Sequence, residues 1–403
     1  MSLGLAYTDK RGRIFFDSDS EPLADGGIVR RAKRNELLRA PEGTVPVTLP
    51  GRTPLVTGGK AARRTALGAL LPAGYTRLLL PAYVEGESAP QLPLFGYAFA
   101  CVIDDELHVA AMRTDEDANW RPRAFAESEL ETIVSTRLAS DPKNRILAQL
   151  GRCSLEYGCF TAQNVFLEQG EAALPVSPKC NARCVGCISE LDAGSVIVAP
   201  QERIRIEPDV DALSRIALAH LERVPDGIVS FGQGCEGEPL LRSTAIARTI
   251  EHIRAHRTNG TVNLNTNGSL PKSLGTLIDA GLDAVRVSLN SFRPPVYAAY
   301  YRPAGYALDD VLESITLAVR KGLRVSLNLL THPGVTDEAA EVAAATAFLR
   351  QTRVALVQTR TLNIDPHVYF SRVGRPLEPI GMRAALEALR QTGAELGNFT
   401  HTH

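Results

Sequence analysis

The chain has 403 residues, of which 44% are hydrophobic and 22% charged, and its formal net charge is −1. This length is more than one ordinary domain needs, and the near balance of charge gives no overall field that would attract nucleic acid or a membrane surface. The sequence shows neither an apolar signal segment nor an uninterrupted run of 18 apolar residues. We therefore expect a cytoplasmic protein without a membrane partner.

Residues 1–165 are predicted to form a strand-rich α+β N-terminal domain. Short runs of β-favouring residues, such as "TRLLLPAYV" and "AFACVI", are separated by Pro, Gly and Asp, and "DDEL" after "AFACVI" is typical of a hairpin turn. Residues 1–70 hold twelve Lys or Arg against seven Asp or Glu, most densely in "RRAKR" at 30–34. This basic stretch is either a solvated face or a docking surface for an anionic partner.

After about residue 170, short apolar runs alternate with helical patterns. The apolar runs are, in order, "ALPVSP", "GIVSFG", "TVNLNTNG", "AVRVSLNS", "RVSLNLL" and "VALVQTR". Strands that are each followed by a helix indicate βαβ units and a parallel sheet. We predict a partial (β/α)6 TIM-like barrel over residues 166–375, followed by a C-terminal helix and tail over 376–403. In such folds the functional groups gather at the carboxyl ends of the strands.

Three cysteines follow the first of these strands. Cys180, Cys184 and Cys187 have C-x₃-C-x₂-C spacing in a chain with seven cysteines. In a reducing compartment, clustered cysteines suggest metal binding or catalysis. A structural zinc site normally takes four protein ligands, and no further Cys or His follows Cys187 at the usual distance. A [4Fe–4S] cluster has four irons, so three cysteines would leave one iron open for a substrate or cofactor.

This spacing, directly after the first strand of a partial βα barrel, resembles the radical S-adenosylmethionine (radical SAM) superfamily. "GQGCEGEPLL" at 232–241 is similar to the glycine-rich stretch with which that family holds the amino group of SAM. "TNG" at 266–268 and "RVSLNS" at 286–291 resemble the strand ends that meet the methionyl and ribose parts of SAM. One departure is Gly186, because the residue before the third cysteine is usually aromatic in the family.

The resemblance implies two cofactors, a [4Fe–4S] cluster and SAM. Cys180, Cys184 and Cys187 are the implied iron ligands, and SAM would chelate the fourth iron. The carboxylate of Glu236 or Glu238 is expected to accept a hydrogen bond from the ammonium group of SAM. The resemblance identifies no catalytic side chain. The full set of implied SAM-binding residues is Gly234, Glu236, Gly237, Glu238, Asn267, Ser288 and Asn290.

The activity that the resemblance implies is reductive cleavage of SAM to a 5′-deoxyadenosyl radical, which abstracts hydrogen from an unidentified small-molecule or peptide substrate. A reduced flavodoxin- or ferredoxin-type protein would donate the electron. Modification of RNA is an alternative that the basic stretch favours and the neutral total charge opposes, so a nucleic-acid partner is disfavoured but stays open. A non-catalytic iron–sulfur or electron-transfer protein is a further alternative, which predicts a fourth cysteine ligand and no SAM loop.

The remaining cysteines each leave two interpretations open. Cys235 lies inside the glycine-rich stretch and is either a small packing residue or a hydrogen-atom donor or substrate-linking thiol. Cys153 and Cys159 are either packing or surface thiols or ligands of a second metal centre. Cys101 would be able to join them in such a centre.

Other residues near the strand ends are candidates for supporting roles. Lys179 and Arg183 flank the cysteines and are expected to favour the thiolate form. Asn328 occupies a place on the fifth strand comparable to that of the polar residues on the fourth. The segment at 294–303 holds side chains that either pack in a helix or face the substrate, namely Tyr300, Tyr301 and Arg302.

A partial barrel leaves an open side, and a radical intermediate must be kept from water and stray hydrogen donors. We therefore expect residues 1–165 to dock near the barrel mouth or its open edge and to shape the substrate site. A chain that begins near Glu168 is expected to keep the cluster and slow SAM cleavage while losing turnover of its substrate.

Overall fold

The computed structural model describes residues 3–9, 11–115, 127–224, 226–257 and 259–398. It has a strand-rich antiparallel region, then three helices, then a parallel sheet with its helices. Within these ranges no helix combines the length and apolar character that crossing a bilayer requires. The last five residues of the predicted C-terminal tail lie outside the described residues.

The N-terminal region is built from short antiparallel strands arranged in one large sheet and two three-stranded sheets. The predicted hairpin is present, because β13 and β14 pair antiparallel and turn at Asp104 and Asp105, both of which have positive φ. In chain order the strands are β1 Gly4–Thr8, β2 Ile14–Asp17, β3 Leu23–Asp25, β4 Val29–Arg31, β5 Leu37–Arg39, β6 Val45–Thr48, β7 Arg52–Val56, β8 Gly59–Lys60, β9 Thr65–Leu70, β10 Tyr75–Arg77, β11 Leu80–Pro81, β12 Tyr83–Glu85, β13 Tyr97–Ile103 and β14 Glu106–Arg113.

Three helices connect these strands to the parallel sheet: α1 Glu127–Ser140, α2 Arg145–Glu156 and α3 Phe160–Leu167. Helix α2 begins where the side chain of Asn144 accepts a hydrogen bond from the Leu147 amide at 3.0 Å, which caps the first turn. Its apolar face joins a buried cluster that runs from the N-terminal strands into the barrel. The core is therefore continuous across the predicted boundary at 165, and that boundary stays a prediction.

The predicted partial barrel is confirmed, with its six strands parallel and in chain order. The strands are β15 Glu171–Leu174, β16 Ile228–Phe231, β17 Thr261–Thr266, β18 Ala284–Leu289, β19 Arg324–Thr331 and β20 Leu356–Thr361, followed by a seventh, β21 Glu395–Gly397. The helices are α4 Val210–Arg223, α5 Ser243–His256, α6 Pro271–Asp279, α7 Pro294–Tyr301, α8 Leu308–Arg320, α9 Ala339–Thr352, α10 Pro366–Val373 and α11 Met382–Arg390.

The seventh strand lies in the segment that the sequence indicated only as a helix and tail. It pairs in parallel with β20, with Leu356 opposite Glu395. Three residues are too few to show the alternation by which a strand is recognised in a sequence. The sheet is therefore one strand wider than predicted.

Side-chain alternation separates the interior of the barrel from its helical cover. On β18, Val285, Val287 and Leu289 are fully buried, while Arg286 and Ser288 point to the opposite face, because successive side chains of a strand alternate. On α8, Val311, Ile315 and Ala318 form one apolar face, and all three are fully buried. Polar side chains therefore line the inside of the barrel.

The N-terminal region docks on the β20–β21 edge of the sheet. The hydroxyls of Thr76 and Thr359 are 2.6 Å apart, and Arg77 donates to the carbonyl of Leu362 at 3.2 Å. Arg52, whose side chain is fully buried, pairs with Asp365 at 3.0 Å, just beyond β20, and also with Glu85. This is the position at the open edge that we expected for residues 1–165.

The buried pair of Arg52 and Asp365 gives a test of this docking. Replacing Asp365 with Ala leaves a buried guanidinium short of a partner, so we expect the free energy of unfolding to fall by about 3–5 kcal/mol. In the control, Glu106→Ala removes an exposed pair with Arg39 and should cost less than about 1 kcal/mol. Urea unfolding of both variants measures the difference; equal losses would contradict the assigned role of Asp365.

Candidate cofactor site

The three predicted iron ligands lie on a loop after β15, which we call the cysteine loop (residues 176–189). Its backbone pairs with the last residues of α7: the amide of Arg183 donates to the carbonyl of Tyr301, and that of Val185 to the carbonyl of Tyr300, each at 3.0 Å. Tyr300 and Tyr301 are 3% and 4% exposed. The structure thus supports the packing interpretation of these two tyrosines.

The side chain of Arg302 also binds the cysteine loop. The residue adopts a left-handed conformation with φ of 46°, its Nε donates to the carbonyl of Arg183, and its Nη1 pairs with Asp192 at 2.7 Å. The side chain is therefore committed to the cysteine loop and to the residues just after it.

The departure at Gly186 has a steric reason. A Cβ atom at this position would lie 3.1 Å from the hydroxyl oxygen of Tyr300 and 3.1 Å from the carbonyl oxygen of Asn363. The buried ring of Tyr300 thus occupies the space that a side chain at 186 would need.

The glycine loop (residues 232–238) follows β16 and lies directly against the cysteine loop. The amide of Gly237 donates to the carbonyl of Ser177 at 2.6 Å, and that of Glu238 to the carbonyl of Lys179 at 2.8 Å. A Cβ atom added at Gly237 would lie 2.0 Å from the Lys179 carbonyl oxygen, and one at Gly234 would lie 2.6 Å from Ile188. Both predicted glycines therefore permit close contact between the two loops.

Glu236 joins the glycine loop to the cysteine loop. Its carboxylate accepts hydrogen bonds from the amides of Val176 at 2.7 Å, Ser177 at 2.6 Å and Gln233 at 2.6 Å, so both oxygens have partners. Burial raises the pKa of Glu236 to about 7, and the backbone donors oppose that rise. The carboxylate therefore holds the two loops together, and its contact with the ammonium group of SAM stays a prediction.

Glu238 has a similar role between the glycine loop and the end of β17. Its carboxylate accepts from the hydroxyl of Thr266, from the Asn267 amide at 2.8 Å and from the Leu240 amide at 2.9 Å. Burial raises the pKa of Glu238 to about 7. A direct contact of this carboxylate with SAM stays a prediction, because its hydrogen bonds within the chain already account for its position.

Asn267 is joined to the cysteine loop through a residue that the sequence did not single out. Its Nδ2 donates to Oδ1 of Asn181 at 2.9 Å, and Nδ2 of Asn181 donates to the Ser269 hydroxyl at 2.9 Å. Asn181 follows Cys180 directly, and its pairing with the end of β17 has no local signal in the sequence. The ends of β15, β16 and β17 are thereby linked into one wall.

The three thiols are close enough for their charges to interact, and they take part in no disulfide. Burial raises the pKa of Cys180 to about 11 and also raises that of Cys184, and the nearby cysteines add to both shifts. In the described part of the chain, no three Cys, His, Asp or Glu side chains are arranged to hold one metal ion, which gives the zinc alternative no support. A cluster takes each cysteine on a different iron and needs no such convergence, so this donor set fits it.

Among the described residues, the cation that is hydrogen-bonded to a thiol is Arg203, a residue that the sequence did not single out as Lys179 and Arg183 were. Its Nη2 donates to Sγ of Cys187 at 3.3 Å and to the hydroxyl of Ser189 at 3.2 Å. It lies in the irregular segment between the cysteine loop and α4, where no periodicity indicated which side chains would return to the site.

The predicted polar residues of β18 separate into two environments. Ser288 lies opposite Asn328 of β19 inside the barrel, and Nδ2 of Asn328 donates to the Ser288 hydroxyl at 3.2 Å. Asn290 is 1% exposed and donates to the hydroxyl of Tyr369 at 2.9 Å. Ser288 and Asn328 are thus placed together, whereas Asn290 packs against α10.

The structure also brings together cysteines that are distant in the sequence. The thiol of Cys235 in the glycine loop lies near that of Cys153 on α2, and the interaction between the two thiols lowers the pKa of Cys153 and raises that of Cys235. Gln149 donates to Sγ of Cys153 at 3.3 Å. Cys101 is buried on β13, and Cys159 begins α3.

Comparison with known proteins identifies the domain. The model of the "Radical SAM superfamily" matches residues 174–347, from the end of β15 into α9. Residues 174–347 form a radical SAM domain. The matched range contains the cysteine loop, the glycine loop and the ends of β17 and β18.

Curated relatives match over a similar part of the chain. The "GTP 3′,8-cyclase" of Heliobacterium modesticaldum is 33% identical over 193 residues, which are 47% of this chain and 54% of that protein. The "FeMo cofactor biosynthesis protein NifB" of Klebsiella pneumoniae is 25% identical over 255 residues, 57% of this chain and 51% of that protein. The chain thus spans about half the length of the curated relatives that it matches.

Among solved structures, a radical SAM methyltransferase from Sphaerobacter thermophilus is 17% identical to this chain, with a TM-score of 0.41. The match covers 56% of this chain and 64% of that one. This overall similarity is too loose to support an argument about function.

The contact at Gly237 predicts that the two loops are interdependent. Gly237→Ala places a methyl group against the Lys179 carbonyl, so the loops must separate, and we expect iron content after anaerobic reconstitution to fall to about half of the wild-type value or lower. Gly275→Ala is a matched control, because a Cβ atom there has its nearest neighbour at 3.9 Å. Unchanged iron content in Gly237→Ala would contradict the assigned role of the contact.

Proposed function

We propose that this chain is a radical SAM enzyme in which Cys180, Cys184 and Cys187 hold a [4Fe–4S] cluster, and that it acts on a small molecule or a peptide. The observation that carries the proposal is the pairing of the cysteine loop with the glycine loop through the backbone of Gly237 and Glu238. When bound, the cluster and SAM together supply reductive cleavage of SAM to a 5′-deoxyadenosyl radical. In this proposal, the electron for the cleavage comes from a reduced flavodoxin- or ferredoxin-type protein.

Two arginines support the cysteine loop, one by its charge and one by holding the loop in position. The thiols must lose their protons to bind iron, and the guanidinium of Arg203 stabilises negative charge on Cys187 through its hydrogen bond at 3.3 Å. Arg302 keeps the loop against the end of α7 through the Arg183 carbonyl and Asp192. The ligand loop is therefore held in place by contacts that do not involve its thiols.

The segment that follows β20 shields the site on the side of the N-terminal region. Gly96 lies so close to it that an added Cβ atom would be 3.1 Å from Oδ1 of Asn363, and the carbonyl of Asn363 lies against Gly186 of the cysteine loop. This segment is thus enclosed between the N-terminal region and the cysteine loop. Its role in the proposal is to exclude water from the reacting groups.

No contact within the described part of the chain favours the alternative of RNA modification. Within the basic stretch at 30–34, Arg30 pairs with Glu36 at 2.8 Å and Arg31 with Glu21 at 3.1 Å. These local carboxylates reduce the positive charge that the stretch would offer to a polyanion. A purely electron-carrying role is also disfavoured, because it gives no reason for the glycine loop beside the cysteines.

The cysteine assignment predicts about four irons per chain after anaerobic reconstitution. Replacing Cys180, Cys184 and Cys187 together with Ala should abolish the visible absorbance and the formation of 5′-deoxyadenosine on reduction with dithionite in the presence of SAM. In the matched control, Cys153→Ala with Cys159→Ala should keep nearly all of the iron. A full cluster in the triple variant would show that the ligands are elsewhere, and a loss of half the iron in the control would reveal a second centre.

A further inference from the structure

Arg360 is a cation inside the barrel that has no partner among the described residues. Arg360 lies near the end of β20, paired in register with Leu330 of β19. Its neighbour Thr359 points outward to Thr76 of the N-terminal region, so the side chain of Arg360 points inward. The guanidinium of this half-buried residue makes no hydrogen bond or ion pair with any residue that the structure describes.

The arginine on β18 is a contrasting case in the same interior. Arg286 donates to Oδ1 of Asn265 at 2.7 Å and pairs with Glu171 at 3.3 Å. Glu171 also accepts from the hydroxyl of Ser230 at 2.6 Å. The charge of Glu171 is therefore already shared between an arginine and a hydroxyl at the base of the barrel.

A second carboxylate, that of Asp115, lies near Arg360 without bonding to it. It accepts from the Asn398 amide at 2.7 Å and from the hydroxyl of Thr114 at 2.8 Å. Burial lowers the pKa of Arg360 to about 10, and the positive charge of Arg286 adds to that shift, although Glu171 and Asp115 oppose it. Arg360 is still a cation at neutral pH, and its charge is incompletely compensated.

Polar groups line the interior beside this guanidinium. Asn328, two residues before Leu330 on β19, donates to Ser288, and its Oδ1 is buried without a hydrogen-bond partner among the described residues. A guanidinium presents a planar fork that matches a carboxylate or a phosphate, and keeping an unpaired charge partly buried costs stability. The arrangement is that of a binding site rather than of a packed core.

We propose that Arg360 binds an anionic group of the substrate, a carboxylate or a phosphate, inside the barrel. This inference rests on the proposed function, because it assigns the interior to the substrate of that enzyme. The cysteine and glycine loops follow β15 and β16, whereas Arg360 is on β20, with β17, β18 and β19 between them. Arg360 is thus assigned to the substrate rather than to SAM.

The test compares the thermal midpoint of the reconstituted full-length protein in chloride with that in inorganic pyrophosphate and in malonate at equal ionic strength. Since a ligand that binds the folded state stabilises it, the better-matched anion should raise the wild-type midpoint by about 1–2 °C more than it raises that of Arg360→Gln. Arg350→Gln, an exposed arginine on α9, should respond like wild type. The anion that raises the thermal midpoint more indicates whether the bound group is a phosphate or a carboxylate.

If neither anion stabilises wild type more than Arg360→Gln, the inference is overturned. If Arg360→Gln does not fold, Arg360→Lys replaces it, because lysine keeps the charge and lacks the planar guanidinium. The anion must then raise the thermal midpoint of Arg360→Lys less than that of wild type. Arg350→Gln should also retain about four irons and still release 5′-deoxyadenosine without substrate. If the wild-type protein does not release that product, the proposed function is refuted. The shifts of the thermal midpoint with anions are measured without SAM, so they test the role of Arg360 independently.

Discussion

The close backbone contact between the glycine loop and the cysteine loop is the constraint on which the site depends. The loops follow neighbouring parallel strands, and the absence of a Cβ atom at Gly237 lets its amide reach the carbonyl of Ser177. Two buried carboxylates secure the contact. Glu236 accepts three hydrogen bonds from backbone amides, and Glu238 accepts three from the end of β17 and from Leu240. Because each oxygen is satisfied, burying these groups is tolerable.

The segment after β20 lies between the N-terminal region and the cysteine loop and contacts both. Asp365 accepts from Arg52 at 3.0 Å and from the Leu92 amide at 2.8 Å, and it also caps α10 through the His367 amide. Two residues earlier, the carbonyl of Asn363 lies against Gly186. The N-terminal region thus affects the cysteine loop through packing against one short segment, without contributing an iron ligand itself.

Features that depend on local pattern could be predicted from the sequence, and those that depend on distant partners could not. The six strands, the hairpin at Asp104 and the apolar face of α8 each have a period or a turn residue that reveals them. The cysteine spacing likewise identified the family. By contrast, Arg203 and Asn181 find their partners only after folding. A sequence likewise does not show which backbone amides the two glutamates of the glycine stretch will bind.

The pairing of Asn398 places a condition on the order in which the chain folds. This residue accepts from the amide of Gly74 at 3.4 Å and donates to the carbonyl of Thr359 at 2.9 Å, while its amide binds Asp115. The surface on which the N-terminal region docks therefore includes one of the last described residues. During synthesis the early strands emerge long before that surface is complete. Their docking face therefore stays exposed until residue 398 has left the ribosome. Apolar surface that is exposed during folding favours aggregation, so the late completion of this docking surface is a constraint on how the chain folds.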